Sequence, residues 1–202
     1  MLNLHVRPAL GRVVDPVAAG LLRTGITPDA ITLLGTLGVT VGALAFFPRG
    51  MFFTGTAIVF VFVLTDLLDG AMARRLGRTS RFGAWLDSTC DRVADAAVFS
   101  GLVLWFTGDG DDQVLGGVAL FCLVCGSLIS YAKARAEGLG MTCDVGLAER
   151  AERLILVLLG TLLAGLGVEV ALEVALWLLA AASAVTVVQR LLEVRRQAAL
   201  TP

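Results

Sequence analysis

The stretch TDLLDGAMARRLGRTSRFGAWLDSTCD, residues 65–91, sets four aspartates into an otherwise apolar chain: Asp66, Asp69, Asp87 and Asp91. Residues three or four apart share one face of a helix. Asp66 and Asp69 therefore project together from the end of one helix, and Asp87 and Asp91 from the start of the next. The link between them is short, so the two helices are expected to be antiparallel neighbours whose acidic faces meet in one cavity. Four crowded carboxylates repel one another. Mg2+ or Mn2+ relieves that repulsion, because hard divalent cations prefer oxygen ligands and share them with substrate phosphates. Two such ions about 4 Å apart stabilise both the attacking and the leaving oxygen of a phosphoryl transfer. The small residues Gly70, Ala73 and Gly83 let a ligand approach the backbone closely. Arg74 supplies donors for phosphate oxygens. The chemistry that this pattern suggests is metal-assisted transfer of a phosphate ester.

Those groups must be held by membrane helices. Of the 202 residues, 57% are hydrophobic and only 16% charged, against about a quarter charged in a globular chain. The expectation is an all-α integral membrane protein. Six segments reach the length of about 20 residues needed to span a bilayer, at 28–47, 52–73, 83–107, 113–136, 150–168 and 171–193. Residues 1–27 interleave Leu4, Pro8, Leu10, Val13, Val14, Val17, Leu21 and Leu22 with His5, Arg7, Arg12, Asp15 and Arg23. They read as an amphipathic juxtamembrane helix with its apolar face in lipid, ahead of a six-helix catalytic domain at 28–202. No cleavable signal peptide is expected, since the N-terminus lacks a basic region followed by an apolar one. Lys and Arg are retained on the cytoplasmic side. Arg7, Arg12, Arg23, Arg74, Arg75, Arg78, Arg81, Lys133, Arg135, Arg150, Arg153, Arg190, Arg195 and Arg196 all fall on one side, with Arg49 in a link on the other. Both termini and the aspartates are thus expected to face the cytoplasm of a multi-pass cell-membrane protein. Cys122 and Cys125 form a CxxC inside an apolar helix, where thiols act as small packing residues.

Further cations lie toward the same side, on three different helices. SYAKARAEG supplies Ser130, Lys133 and Arg135, AERAERL supplies Arg150 and Arg153, and QRLLEVRR supplies Arg190, Arg195 and Arg196. Arginine in a membrane-embedded cavity is costly unless it meets an anion. The set points to an acceptor that is itself a phosphate, which a neutral or zwitterionic alcohol would not require.

The order Asp66-Leu-Leu-Asp69-Gly70-Ala-Met-Ala73-Arg74, then Gly83, Asp87 and Asp91, matches every fixed position of the signature of the CDP-alcohol phosphatidyltransferases. The chain resembles that family over its whole length, in the six-helix layout and the N-terminal helix. The resemblance implies a homodimer with a cytoplasm-facing cavity, in which CMP is displaced from a CDP-linked lipid. It implies that Asp66, Asp69, Asp87 and Asp91 ligate the metals and that Asp91 is also the base toward the acceptor hydroxyl. Gly70, Ala73, Arg74 and Gly83 would line the nucleotide site. Within the family, the cation set looks like that of the actinobacterial members that join inositol phosphate to CDP-diacylglycerol. That likeness implies that Ser130, Lys133, Arg135, Arg153 and Arg190 hold the sugar phosphate. It also implies that Asp29, Ala30, Ile31, Thr32 and Ser80 contact the CDP group.

Two other readings stay open on the sequence. Glycerol 3-phosphate also brings a phosphate, so the cations alone do not separate it from inositol 1-phosphate. An ion-coupled transporter also uses intramembrane acids. Against it, the four acids cluster in one window, and no inverted repeat is visible.

Overall fold

A computed structural model describes residues 14–77 and 80–199, all of whose regular structure is helical. Helix α1 covers residues 14–23. It is followed by α2 (Pro28–Phe46), a 3-10 turn (Phe47–Arg49), α3 (Phe52–Val63), α4 (Thr65–Arg75) and α5 (Arg81–Thr107), then α6 (Gln113–Glu137), α7 (Arg150–Gly165) and α8 (Val170–Ala198). Each of the six apolar segments is therefore helical. The second is broken after Val63, so that the first acidic pair sits on its own short helix, α4.

Among the described residues, four stretches are long and apolar enough to cross a membrane: Pro28–Arg49, Phe52–Arg75, Gln113–Glu137 and Val170–Ala198. α5 and α7 fall outside that group. α5 begins with Arg81, Asp87, Asp91, Arg92 and Asp95, and α7 is 16 residues long with Arg150, Glu152 and Arg153 in its first turn. Large apolar side chains stand exposed along the candidate spans, among them Leu37, Val61, Val124 and Leu178. That is the surface of a protein solvated by hydrocarbon rather than water.

The chain divides into two compact units. Among the described residues, the first comprises 14–41, 58–77 and 80–94, the second 42–57 and 95–199. In the first unit Ala18, Ile31, Ala71 and Met72 form a buried core, with Val14, Leu21, Leu22 and Leu68 packed against it. This differs from an apolar face given wholly to lipid: in α1, Val14, Ala18, Leu21 and Leu22 turn onto protein, and Val17 is the large apolar residue left exposed. The spacing 14, 18, 21, 22 puts those four on one stripe, and Met72 and Ile31 cover it. The earlier part of that amphipathic stretch, residues 1–13, lies outside the described residues.

In the second unit α8 packs against both α6 and α7. A buried hydroxyl pair, Thr56 to Thr161 at 2.7 Å, ties the start of α3 to α7. Asp112 caps α6, its Oδ1 accepting from the backbone N–H of Val114 at 3.0 Å and of Leu115 at 2.9 Å. All four cysteines are free and buried, as packing residues would be.

Candidate active site

The first unit holds a cavity of about 380 Å³ whose wall includes Asp29, Thr32, Asp69, Gly70, Ser80 and Asp87. α2, α4, the start of α5 and Ser80 just before it supply these residues. Thr27 begins α2 by accepting the Ala30 N–H at 3.2 Å on its Oγ1, so that Pro28, Asp29 and Thr32 lie around one turn. The Thr32 hydroxyl donates to Asp69 Oδ2 at 2.6 Å, joining α2 to α4. Ser80 Oγ accepts the Gly83 N–H at 2.7 Å and so caps α5.

Most of the residues assigned to the nucleotide group by resemblance gather here. Asp29, Thr32, Gly70, Ala73, Ser80 and Gly83 all line the cavity. Ile31 turns instead into the core at 7% exposure, and Ala30 is exposed away from the wall. Arg74 lies at the solvent side, its Nη1 only 3.3 Å from where a Cβ on Gly70 would stand. Thr27, Pro28, Leu76 and Ala84 also line the cavity and were not among the sequence candidates. The Thr-Pro helix start was the signal for the first two.

Of the four motif aspartates, Asp69 and Asp87 line the cavity, while Asp66 and Asp91 are partly buried in the same unit. Asp91 lies 3.6 Å from the Arg92 guanidinium. Among the described residues, no three acidic, histidine or cysteine side chains already stand together as a metal-ligating group. The donor set nevertheless fits a hard divalent ion. Its oxygens are all carboxylate, with one Asp from each motif half at the same cavity. The wall is also kept open by Gly83, where a Cβ would press to 2.9 Å from Ser80 Oγ and 3.3 Å from Asp29 Oδ1.

The cations assigned to the acceptor lie in the second unit, and each of three has a carboxylate partner. Arg153, 1% exposed, donates from Nη2 to Asp95 Oδ2 at 2.5 Å. Arg190, 3% exposed, donates from Nε to the Val145 carbonyl at 3.0 Å, from Nη1 to the Ile129 carbonyl at 2.5 Å, and from Nη2 to Glu149 at 3.4 Å. Lys133 pairs with Asp144 at 2.5 Å, and the ammonium beside it holds the Asp144 carboxyl below the usual carboxylate range. Ser130 donates to the Gly126 carbonyl at 3.0 Å. Arg135 turns away from Lys133. It lines an apolar groove of about 520 Å³ with Tyr131, Arg190, Leu191 and Arg195. Two residues of helix rotate a side chain by about 200°, so Lys133 and Arg135 cannot share a face. Asp95 was not among the sequence candidates, although its place four residues after Asp91 continues the same helical period.

Apolar helices, a motif with Asp69, Asp87, Gly70 and Gly83 around one cavity, and a separate set of cations of which Arg153 and Arg190 are buried fit a membrane enzyme of phospholipid chemistry. The chain belongs to the CDP-alcohol phosphatidyltransferase family, whose model matches residues 25–188. It is 53% identical to the phosphatidylinositol phosphate synthase of Streptomyces avermitilis over 206 residues, covering 98% of this chain and 84% of that protein. It is 50% identical to the enzyme of the same name from Mycobacterium tuberculosis over 193 residues, covering 92% and 87%. The crystal structure of the M. tuberculosis phosphatidylinositol phosphate synthase with CDP-DAG bound superposes with a TM-score of 0.87 at 50% identity, covering 91% of this chain and 94% of that one. The same enzyme in complex with manganese and citrate gives 0.85 at 51% identity, with 90% and 88% covered.

Proposed function

We infer that the protein transfers the phosphatidyl group of CDP-diacylglycerol to inositol 1-phosphate, releasing CMP and forming phosphatidylinositol phosphate. The observation that carries this reading is the cavity that brings Asp69 and Asp87, one from each half of the motif, together with Gly70, Ser80 and Gly83. Relatives at 43% to 53% identity named for that synthesis support the choice of acceptor.

The enzyme uses a divalent metal, Mg2+ or Mn2+, and in this reading two ions are held by Asp66, Asp69, Asp87 and Asp91. When bound, the metal neutralises the pyrophosphate and makes CMP a better leaving group. The rest of the work falls to the chain. Asp29 to Thr32, Gly70, Ala73, Arg74, Ser80 and Gly83 hold the CDP group. Asp91 takes the proton from the acceptor hydroxyl, within hydrogen-bond reach of it. The freed oxygen forms a bond to the phosphorus that carries diacylglycerol, and the bond from that phosphorus to CMP breaks. Ser130, Lys133, Arg135, Arg153 and Arg190 bind the acceptor phosphate by charge-assisted hydrogen bonds. In this reading Arg190 serves rather than Arg195, with the Val145 and Ile129 carbonyls and Glu149 holding its guanidinium in place.

The reading extends to the whole assembly. In this reading a juxtamembrane segment, of which α1 is the described part, precedes a six-span catalytic domain in the cell membrane. The protein is a homodimer, with its active site and both termini toward the cytoplasm. The test is CMP release by the purified protein with CDP-diacylglycerol and Mg2+, adding inositol 1-phosphate, glycerol 3-phosphate, free inositol or serine one at a time. Release with inositol 1-phosphate alone, abolished by chelator, is expected. Release with glycerol 3-phosphate instead replaces the acceptor.

A further inference from the structure

A buried guanidinium persists only where its charge and its donors are met. For Arg153 the Asp95 carboxylate meets the charge. Its Oδ2 accepts from Nη2 at 2.5 Å, and its Oδ1 lies 3.9 Å from Arg150 Nε. The Ala148 carbonyl accepts from Arg153 Nη1 at 3.2 Å. Nη1 and Nη2 each keep a second N–H, and Nε is the one nitrogen of the three that is buried without an acceptor. It lies against Gly126, where a Cβ would stand 3.1 Å from Nε and 3.3 Å from Cζ. Gly126, Ser130 and Lys133 follow one another at helical spacings of four and three, so they share one face of α6. Arg153 Nε therefore lies against the face that carries the hydroxyl and the ammonium.

We propose that Asp95 is a positioning residue for acceptor binding: by clamping one edge of the Arg153 guanidinium, it fixes the direction of the N–H groups that remain for the acceptor phosphate. This rests on the acceptor reading above. The guanidinium is planar and rigid, so fixing two of its nitrogens fixes the direction of the third. Asp95 differs in kind from the other two carboxylates that pair with this cation set. The side chains of Asp144 and Glu149 are 71% and 48% exposed, whereas that of Asp95 is 11% exposed. The first two can yield to an incoming phosphate. Asp95 stays, and acts only through Arg153.

The experiment is steady-state kinetics of CMP release for D95N, R153Q and the double variant, with inositol 1-phosphate and CDP-diacylglycerol varied separately. Misplacing a binding group by an ångström costs up to about 100-fold. D95N is accordingly expected to raise the KM for inositol 1-phosphate by ~10-fold or more, with the KM for CDP-diacylglycerol within about 2-fold of wild type. The double variant is expected to be no worse than R153Q, because a residue acting through another adds nothing once that other is gone. An equal rise in both KM values, an unchanged acceptor KM, or additive losses in the double variant would overturn the role of Asp95. If D95N loses its thermal transition in detergent, D95E carries the same comparison. A rise confined to the acceptor KM then supports the role, and any other pattern overturns it. Wild-type protein that releases no CMP with inositol 1-phosphate defeats the acceptor reading itself. Wild-type turnover with an unmoved acceptor KM in the variants defeats only the proposal about Asp95.

Discussion

The hydroxyl of Thr32 on α2 donates to the Asp69 carboxylate on α4 at 2.6 Å, and both residues line one cavity. Asp69 is 8% exposed, so this bond orients a carboxylate that has little water to turn toward. Outer partners of metal-ligating groups typically contribute 10- to 100-fold in metal affinity or activity. Thr32→Val keeps the branched shape and removes the donor. It is expected to raise the Mn2+ concentration for half-maximal CMP release by about 10-fold, while Thr32→Ser stays near wild type. A metal titration of the three proteins checks this, and identical curves would remove Thr32 from the support of Asp69.

Gly83 gives a second test, directed at the nucleotide. A Cβ there would come to 2.9 Å from Ser80 Oγ, which already accepts the Gly83 N–H. It would also come to 3.3 Å from Asp29 Oδ1, so two cavity residues would have to move together. Gly83→Ala is therefore expected to raise the KM for CDP-diacylglycerol by on the order of 10-fold and to leave the acceptor KM within about 2-fold. A change in the acceptor KM alone would place Gly83 outside the CDP site.

How far the sequence carried these conclusions depended on whether a feature is set by local period or by long-range packing. The acidic motif is legible from helical spacing, which pairs Asp66 with Asp69 and Asp87 with Asp91, but one residue of each pair, Asp69 and Asp87, reaches the cavity wall. The helix at each apolar segment was legible from length and composition. What spacing could not deliver was rotation about each helix axis in its tertiary setting. Ile31 stands among residues that meet the cavity, yet packs on Ala71 and Met72. Lys133 and Arg135 are neighbours in sequence, but α6 turns one toward Asp144 and the other into the apolar groove. Asp95 was hidden for a different reason. It follows the motif at the same interval, but its partner, Arg153, lies far along the chain and only folding joins them.

Asp91→Asn tests the assignment of the base. Asn is isosteric but accepts no proton, so the acceptor hydroxyl keeps its hydrogen and becomes a far weaker nucleophile. General base catalysis contributes about 100- to 10,000-fold, and the loss of a metal-ligating carboxylate adds to that. Turnover is expected to fall below detection, while the thermal transition and CDP-diacylglycerol binding persist. Loss of the thermal transition would instead assign Asp91 a role in holding the fold.

The ion pair between Lys133 and Asp144 makes a prediction with a definite sign. Asp144 is exposed and sits on the segment after α6, where it pairs with the Lys133 ammonium; in the proposed reading it competes there with an incoming phosphate. Asp144→Asn removes that competitor and is expected to lower the KM for inositol 1-phosphate by about 2- to 5-fold without changing the KM for CDP-diacylglycerol. The pH dependence follows from the direction of the Asp144 shift. The Lys133 hydrogen bond and charge hold this carboxyl below its ordinary value of 3.8. A depressed carboxyl stays ionised above the unfolded value, and its pairing is lost only as pH falls through the lower folded value. Asp144 is thus fully charged across roughly pH 6 to 8, and the ratio of acceptor KM between wild type and D144N should stay constant over that range. The ratio should close toward one only below the ordinary carboxyl value of 3.8, as pH falls through the lowered value of the wild-type carboxyl. Measuring the acceptor KM for both proteins at three pH values checks it, and a ratio that changes between pH values near 6 and 8 would mean that another group controls the access of phosphate to Lys133.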